Sequence, residues 1–257
     1  MSYGISTSCL YPMNTENALG ELGRAGVKTA EVFLNSISET TLDFSKKLNE
    51  IKDNYGMQIT AVHPFSSFSE TYMLFGEYER RYRDVLDFYK RCFECTCEVG
   101  ADISIIHGSR FNGKLPHELY FERFNTLIEA GKEFGVRVAQ ENVNAHFSES
   151  PQFLQKMKKA LGDDFNLVFD VKQAVRAGFS PLDFAEEFKN NIIRIHVSDN
   201  TAERDCLPPG KGSFDFKSLI SVMESVNYKG DYIIELYREN FKDEKDLISS
   251  LRYLQSL

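Results

Sequence analysis

The feature that most constrains the fold is a regular alternation of short apolar runs with longer helical patterns along the 257 residues. The apolar runs predict eight strands, at residues 3–9, 29–34, 58–63, 102–108, 136–142, 166–170, 192–197 and 232–236. The intervening patterns predict helices at residues 15–25, 43–55, 77–99, 119–134, 151–161, 181–189, 216–226 and 243–255. Eight strands that alternate with helices are what a closed (β/α)8 barrel requires. We therefore predict an α/β protein with one TIM-barrel domain over residues 1–257.

Two further patterns favour the same fold. Glycine stands between a helix and the next strand at Gly26, Gly56, Gly100, Gly135 and Gly230, where a left-handed helix cap is expected. Strands covered on both faces are continuously apolar, as are the segments VFL, ISII, LVF and YII. No linker rich in Gly, Pro and Ser marks a second domain, and an apolar content of 42% is enough for one core.

Composition disfavours several classes of protein. The formal net charge of -8 gives no basic footprint, so we expect no nucleic-acid partner. No apolar run approaches the roughly 20 residues that span a bilayer, and the first ten residues lack the features of a signal peptide. Five sparse cysteines suggest a reducing compartment, so we expect a cytoplasmic protein without a membrane partner. Cys92, Cys95 and Cys97 lie in a helical pattern and are interpreted as buried thiols, not as a metal clip.

Ionisable residues recur where the predicted strands end. In a parallel barrel all these ends meet at one mouth, so distant residues converge there. The set comprises Ser6 or Ser8, Glu31, His63, His107, Glu141, Asp170, His196 and Glu235. Singly, such a residue is more often a helix cap, an ion-pair partner or a packed histidine. Together, the last four would place several like charges in one mouth, at a cost of several kcal/mol unless a cation or protons compensate.

Histidine and carboxylate groups bind divalent cations, so Glu141, Asp170, His196 and Glu235 are the predicted ligands of one metal ion. The ion could be Mn²⁺, Zn²⁺, Mg²⁺ or Co²⁺.

Basic residues near these strand ends have alternative roles. Lys172 would face the same side as Asp170 if the strand continued, and it could neutralise a carboxylate, contact a substrate, or remain solvated. Arg194 lies one layer deeper than His196 and needs a carboxylate partner, for which Glu31 is the candidate.

Two loops remain open to interpretation. The segment PGKG lacks the spacing of a phosphate loop, but Arg204 and Lys211 follow strand 7, where barrels often bind phosphate. The long connection at residues 64–80 contains four aromatic residues, namely Phe65, Phe68, Tyr72 and Phe75. They could form a lid or wall over the strand ends, or pack back on the barrel as part of a surface loop.

Several motifs resemble one known family. They are AVHPF at strand 3, IIHGS at strand 4, QEN at strand 5, VFDVKQAVRAG at strand 6, IHVSDN followed by LPPGKGSFDF at strand 7, and IIELY at strand 8. The chain thus resembles the xylose isomerase-like TIM barrels, or sugar phosphate isomerase/epimerase group. This group includes tagatose 3-epimerase-like enzymes, inosose dehydratase-like enzymes and endonuclease IV.

The resemblance implies roles for particular residues. In isomerase and epimerase members the ordered Glu, Asp, His and Glu bind one divalent metal, and the two glutamates act on opposite faces of the sugar. By resemblance, Glu141 and Glu235 are ligands and acid/base residues. His63, His107, Lys172, Gln173 and Arg204 are the predicted substrate-binding residues.

Three departures from the family pattern limit what the resemblance implies. Many members have histidine three residues after the strand 6 aspartate, where this chain has Gln173. The Asn-Arg pair and further glutamate of tagatose epimerase-like members are missing after Glu141. Gln173 also breaks the multi-metal ligand set of endonuclease IV.

We therefore predict a metal-dependent isomerase or epimerase of a small sugar, polyol or sugar phosphate, acting through an enediolate-type proton transfer. A keto-polyol dehydratase, a catalytically silent carbohydrate-binding barrel and an apurinic endonuclease are alternatives. The expected partner is a small carbohydrate, and a homo-oligomer remains one option for the assembly.

Overall fold

The computed structural model describes residues 2–112 and 114–257, the side chains of Ser67 and Phe68 excepted. Eight parallel strands form a closed barrel in sequence order, with β1 paired to both β2 and β8. The strands are β1 (Tyr3–Ser6), β2 (Thr29–Phe33), β3 (Gln58–His63), β4 (Ile103–Ile106), β5 (Arg137–Glu141), β6 (Leu167–Asp170), β7 (Ile192–Val197) and β8 (Asp231–Ile234). The predicted TIM barrel is confirmed.

Helices alternate with the strands along the chain. They are α1 (Thr15–Arg24), α2 (Leu42–Tyr55), α3 (Ser67–Met73), α4 (Glu79–Glu98), α5 (His117–Lys132), α6 (Pro151–Leu161), α7 (Val171–Arg176), α8 (Pro181–Phe188), α9 (Phe216–Glu224) and α10 (Glu244–Gln255). Each predicted helix overlaps one of these, whereas α3 and α7 were not predicted. Within the described ranges, no helix has both the length and the apolar character needed to cross a membrane.

The predicted strands overlap the observed ones, and the first differs most. It was predicted to reach residue 9 but ends at Ser6, and Thr7–Leu10 form a 3-10 helix. The Ser6 side chain accepts a hydrogen bond from the Ser8 amide at 3.3 Å, which starts that turn. Ser8 therefore lies beyond the strand, at the barrel mouth.

Alternate residues of the strands fill the barrel interior. A small apolar cluster of Ala61, Ile103, Ile105, Ala139 and Val168 occupies the interior, separate from the larger cluster packed against the helices. Because side chains two residues apart share a strand face, the next inward residues after these are the ionisable ones at the strand ends. The apolar floor thus leads directly to a polar mouth.

The glycine caps were predicted correctly at four of five positions. Gly26, Gly56, Gly100 and Gly135 have positive φ angles, as a left-handed cap requires. Gly230 does not, and the prediction for it was wrong. After α9 the left-handed residue is Asn227, with φ of 56°.

The cysteine prediction holds only in part. All five cysteines are free, and Cys92 and Cys95 are buried in α4 as expected. Cys97 is exposed, so the prediction of a third buried thiol was wrong.

The long connection after β3 contains the unpredicted helix α3. Phe75 is buried and stacks on Tyr120 with ring centroids 3.9 Å apart, and Phe65 contacts Phe88 edge-on at 5.5 Å. Tyr72 is 56% exposed, and Phe68 has a side chain outside the described part of the structure. Two of the four aromatics therefore pack back on neighbouring helices.

Candidate active site at the barrel mouth

Strand ends bring the four predicted metal ligands together. Glu141 and Asp170 are the last residues of β5 and β6, His196 lies in β7, and Glu235 follows β8. One ligand atom from each lies within 4.8 Å of the corresponding atoms of the others. Glu141, Asp170 and His196 are each 1% exposed. We refer to these four residues as the mouth cluster.

The His196 ring lies at the centre of the mouth cluster. Its Nδ1 atom is 3.4 Å from Glu141 Oε1, 3.3 Å from Glu235 Oε2 and 3.8 Å from Asp170 Oδ2. None of these contacts is a hydrogen bond of acceptable geometry, so a buried Nδ1 remains without a partner. A polar atom left unpaired in a buried site is costly, and a bound cation is one way to satisfy it.

Glu31 holds the other side of the same imidazole. Its Oε2 atom is 3.1 Å from His196 Nε2 and 3.5 Å from Arg194 Nη1, and all three residues are buried. The predicted partnership of Glu31 with Arg194 is therefore confirmed. Carboxylates in this position fix the orientation of a metal-binding histidine.

Two more histidines, His63 and His107, contact Glu141 of the mouth cluster. Glu141 Oε2 lies 2.9 Å from His107 Nε2 and 3.5 Å from His63 Nε2, and the two Nε2 atoms are 2.9 Å apart. These three residues form a second group with metal-ligand spacing. His63 and His107 therefore face the cluster directly, and their predicted contact with a substrate remains a prediction.

Lys172 inserts its ammonium group into the mouth cluster. Its Nζ atom donates hydrogen bonds to Asp170 Oδ2 and, at 2.7 Å, to Glu235 Oε2. The side chain is 3% exposed, so the solvated alternative is wrong and neutralisation of carboxylates is confirmed. The strand ends at Asp170 as predicted and does not continue to Lys172, because Asp170 caps α7 by accepting from the Gln173 amide at 3.1 Å.

These contacts determine the charge state of the glutamates. Burial favours the neutral acid in both, but neighbouring cations outweigh it. His107, His196 and His63 hold the pKa of Glu141 well below its usual range, and Lys172 and His196 do the same for Glu235. Both glutamates are therefore ionised at neutral pH and can accept a proton or bind a cation.

The pKa values of Asp170, His196 and Lys172 shift in the opposite sense, upward. Burial raises the pKa of Asp170, against the opposing effect of the Lys172 ammonium. For Lys172 and His196, burial disfavours the charged form, but the surrounding carboxylates outweigh it and raise the pKa of each well above its ordinary value. Lys172 and His196 therefore carry positive charge beside the ionised glutamates.

A cavity of about 340 Å³ opens above the cluster. Its lining comprises Ser8, Tyr11, Phe33, Asn35, His107, Glu141, Lys172, Gln173, Glu235, Leu236 and Tyr237. Arg204 is exposed and lines a separate depression beside Arg176 and Asp205, and Lys211 is also exposed outside this cavity. A cavity of about 380 Å³ at the opposite end of the barrel contains no member of the mouth cluster.

Sequence reasoning missed Glu70, which supports the histidine side of the site. This buried carboxylate on α3 accepts hydrogen bonds from the Gly108 amide at 2.5 Å and the Tyr89 hydroxyl at 2.7 Å. Gly108 has a φ of 87° and follows His107 directly, so Glu70 fixes the backbone that presents this histidine. Only a prediction of α3 could have identified it.

Tyr237 was also missed, although its position two residues after Glu235 was a usable signal. Its ring is 41% exposed and lines the cavity, held by the Arg176 guanidinium 4.9 Å from the ring centroid. Arg176 also donates to the Tyr237 hydroxyl at 2.8 Å and pairs with Asp205. The aromatic wall is thus fixed from behind by an ion pair.

The mouth cluster meets the chemical requirements of a divalent cation site. It offers one imidazole and three carboxylates at suitable spacing, with His196 Nδ1 unpartnered and oriented by Glu31. Lys172 opposes a metal at this site, because it already binds two of the four residues.

The sequence and the fold place the chain in a known family. The family model of the xylose isomerase-like TIM barrel matches residues 19–257, and the chain belongs to that family. An uncharacterized protein of Methanocaldococcus jannaschii is 22% identical over 261 residues, covering 95% of this chain and 85% of that protein. An inosose dehydratase of Clostridium botulinum is 24% identical over 250 residues, covering 86% of this chain and 81% of the enzyme.

Solved structures with the same fold include sugar epimerases. A D-tagatose 3-epimerase-like protein superposes with a TM-score of 0.82 at 19% identity, covering 100% of this chain and 96% of its own. The 3-keto-D-glucoside 4-epimerase of E. coli superposes with a TM-score of 0.81 at 15% identity, covering 100% of both chains. At these identities the likeness establishes the fold.

Proposed function

We propose that the protein is a metal-dependent isomerase or epimerase of a small sugar, polyol or sugar phosphate. The observation that supports this most is the pair of ionised carboxylates, Glu141 and Glu235, which flank His196 Nδ1 at 3.4 Å and 3.3 Å on the cavity wall. Two such groups can remove a carbon-bound proton on one face of a substrate and return a proton on the other.

The proposed reaction divides between the two glutamates. One takes the proton next to the substrate carbonyl, and the other delivers a proton to the neighbouring carbon or the opposite face of the same carbon. A divalent ion held by the mouth cluster would polarise the carbonyl and its neighbouring hydroxyl, and so stabilise the enediolate. Glu31 would keep His196 oriented for that ion.

The cavity walls suit a polyhydroxylated ligand. Phe33, Tyr11 and Tyr237 offer aromatic faces to C–H groups, whereas Asn35 and Gln173 offer amides to hydroxyls. Gln173 also accepts from the Asn144 amide at 3.1 Å, which fixes its side chain at the wall. Because an amide cannot shuttle a proton at neutral pH, Gln173 is assigned to binding.

A solved structure with the same fold and a relative in sequence both support a reaction on a sugar or polyol. The 3-keto-D-glucoside 4-epimerase shares the fold, which favours epimerisation. The inosose dehydratase of Clostridium botulinum favours a second candidate, dehydration of a keto-polyol. Both reactions begin by removing a proton next to a carbonyl, and the dehydratase then expels a neighbouring hydroxyl as water.

The test is solvent deuterium exchange by NMR on a panel of ketoses, aldoses and keto-inositols, with metal-stripped and metal-loaded protein. We expect exchange at the carbon next to the carbonyl, dependent on metal, abolished in Glu235→Gln and retained in the exposed control Glu239→Gln. A product lighter than the substrate by the mass of one water molecule would favour the dehydratase. Exchange without metal, or sugar binding without exchange or metal, would contradict the proposal.

A further inference from the structure

We propose that Lys172 is a built-in counter-ion of the mouth cluster, which must give up its place before a divalent cation can bind. This inference rests on the proposed function, because it concerns the metal of the same site. The ammonium would leave the carboxylates for the cavity above them, where it becomes available to an oxygen atom of the substrate.

The individual carboxylate oxygens give the main reason. Asp170 Oδ1 already accepts the Gln173 amide as the cap of α7, and Glu235 Oε1 accepts Ser8 Oγ at 3.4 Å. Asp170 Oδ2 and Glu235 Oε2 are the two oxygens that Lys172 occupies. They are also the oxygens that face His196 Nδ1.

Electrostatics makes the two cations exclusive. An ammonium and a divalent ion that shared these oxygens would lie a few ångströms apart in a buried site, where repulsion is poorly screened. Glu141 pairs with His63, His107 and His196, so three imidazoles compensate its charge. Lys172 therefore competes at one side of the cluster, through Asp170 and Glu235.

The structure also provides a place for the displaced ammonium. Lys172 lines the 340 Å³ cavity, and its Nζ atom is 5.9 Å from the centroid of the Tyr237 ring. The lysine backbone is the second residue of α7, held by the Asp170 cap, while its four-carbon stem can rotate. Metal entry then needs a side-chain rotation and no change in the barrel.

This exchange couples metal and substrate binding. A carbonyl or hydroxyl oxygen that accepts the displaced ammonium would stabilise the metal-loaded arrangement, so each ligand should strengthen binding of the other. Without substrate, Lys172 would thus lower the affinity of the site for a metal. With substrate bound, the displaced ammonium has a new partner, and the affinity for the metal would rise.

The test measures Mn²⁺ affinity of metal-stripped protein by electron paramagnetic resonance of the free ion. Lys172→Met keeps most of the stem without the charge, and the exposed Lys211→Met is the matched control. We expect Lys172→Met to bind Mn²⁺ more tightly than wild type by about tenfold or more, a usual size for coupled binding. Lys211→Met should equal wild type.

A second measurement uses the unaltered protein, in case Lys172→Met does not fold. Lysine acetylation with acetic anhydride is followed by peptide mass spectrometry, with and without saturating Mn²⁺. Lys172 should be protected in the metal-free protein and become modified when Mn²⁺ binds, while exposed Lys211 reacts equally in both states.

The outcomes separate this inference from the proposed function. Equal Mn²⁺ affinity in wild type and Lys172→Met, or protection of Lys172 that Mn²⁺ does not change, overturns the inference and leaves a metal-dependent enzyme. Binding by Lys172→Met with none by wild type supports the inference and leaves the proposed function to the exchange experiment, where metal and substrate are present together. Binding by neither protein overturns both.

Discussion

Glu31 Oε2 lies 3.1 Å from His196 Nε2, with both side chains fully buried in the barrel. The carboxylate fixes one ring nitrogen and turns the other, Nδ1, toward Glu141 and Glu235. The orientation of the imidazole is therefore set from inside the barrel. Glu31 lies on β2, two strands from β8, which Glu235 of the mouth cluster follows.

The first prediction concerns this inner carboxylate. Glu31→Gln keeps the shape and one hydrogen bond but removes the charge that orients His196 and partners Arg194. We expect Mn²⁺ affinity to fall by about 10–100-fold, the usual effect of losing a partner behind a metal ligand. Equilibrium dialysis measures this, with exposed Glu239→Gln as the control. Unchanged affinity would show that the ring is oriented by packing alone.

The second prediction concerns the aromatic wall. Tyr237→Ala removes a cavity face without touching the mouth cluster, so binding should suffer more than chemistry. We expect KM to rise about tenfold, equivalent to about 1.4 kcal/mol of lost binding, with little change in kcat. Steady-state kinetics on the substrate found by deuterium exchange measures both constants. A fall of about tenfold in kcat with KM unchanged would instead show that Tyr237 stabilises the transition state.

The third prediction concerns stability. Tyr89→Phe removes the hydroxyl that donates to Glu70 Oε1 and contacts Ser66, all within a buried network. The free energy of unfolding should fall by about 1–3 kcal/mol, because a buried carboxylate oxygen loses its partner. Urea unfolding measures it, with exposed Tyr78→Phe as the control. Equal midpoints for the two variants would show that the network does not contribute to stability.

The strands were predictable because each is a local pattern, whereas the site depends on contacts between them. Apolar runs located β3 and β7 to the residue. Helix α7 was missed because it has only 6 residues and begins directly after the strand, with Asp170 as its cap. The position of Lys172 follows from that short helix, so its place between Asp170 and Glu235 could not be derived from spacing.

The two metal-ligand groups illustrate the same limit. Four ligands on successive strands, β5 to β8, were predicted as one site because order alone brings them together. Glu141 also meets His63, from β3, and His107, which follows β4, so this second group likewise comes from successive strands. Sequence spacing places these histidines at the mouth and leaves their distance to Glu141 undetermined.

The fourth prediction concerns acid stability and rests on His146, in the loop after β5. Burial lowers the pKa of this imidazole from 6.5 to about 4, although its hydrogen bond to the Asn144 carbonyl opposes the shift. The unfolded chain therefore binds a proton at a higher pH than the folded protein. The stability that depends on neutral His146 is complete above pH 6.5 and is lost as the pH falls toward 4.

His146→Gln removes this proton linkage and keeps a polar side chain of similar length. We expect the free energy of unfolding of wild type to fall more steeply than that of the variant between pH 6.5 and about 4. Above pH 6.5 the difference between the two proteins should be constant, which provides the internal control. Urea titrations at stepped pH values measure both curves. Parallel curves through the acid range would show that His146 does not contribute to the acid sensitivity of the fold.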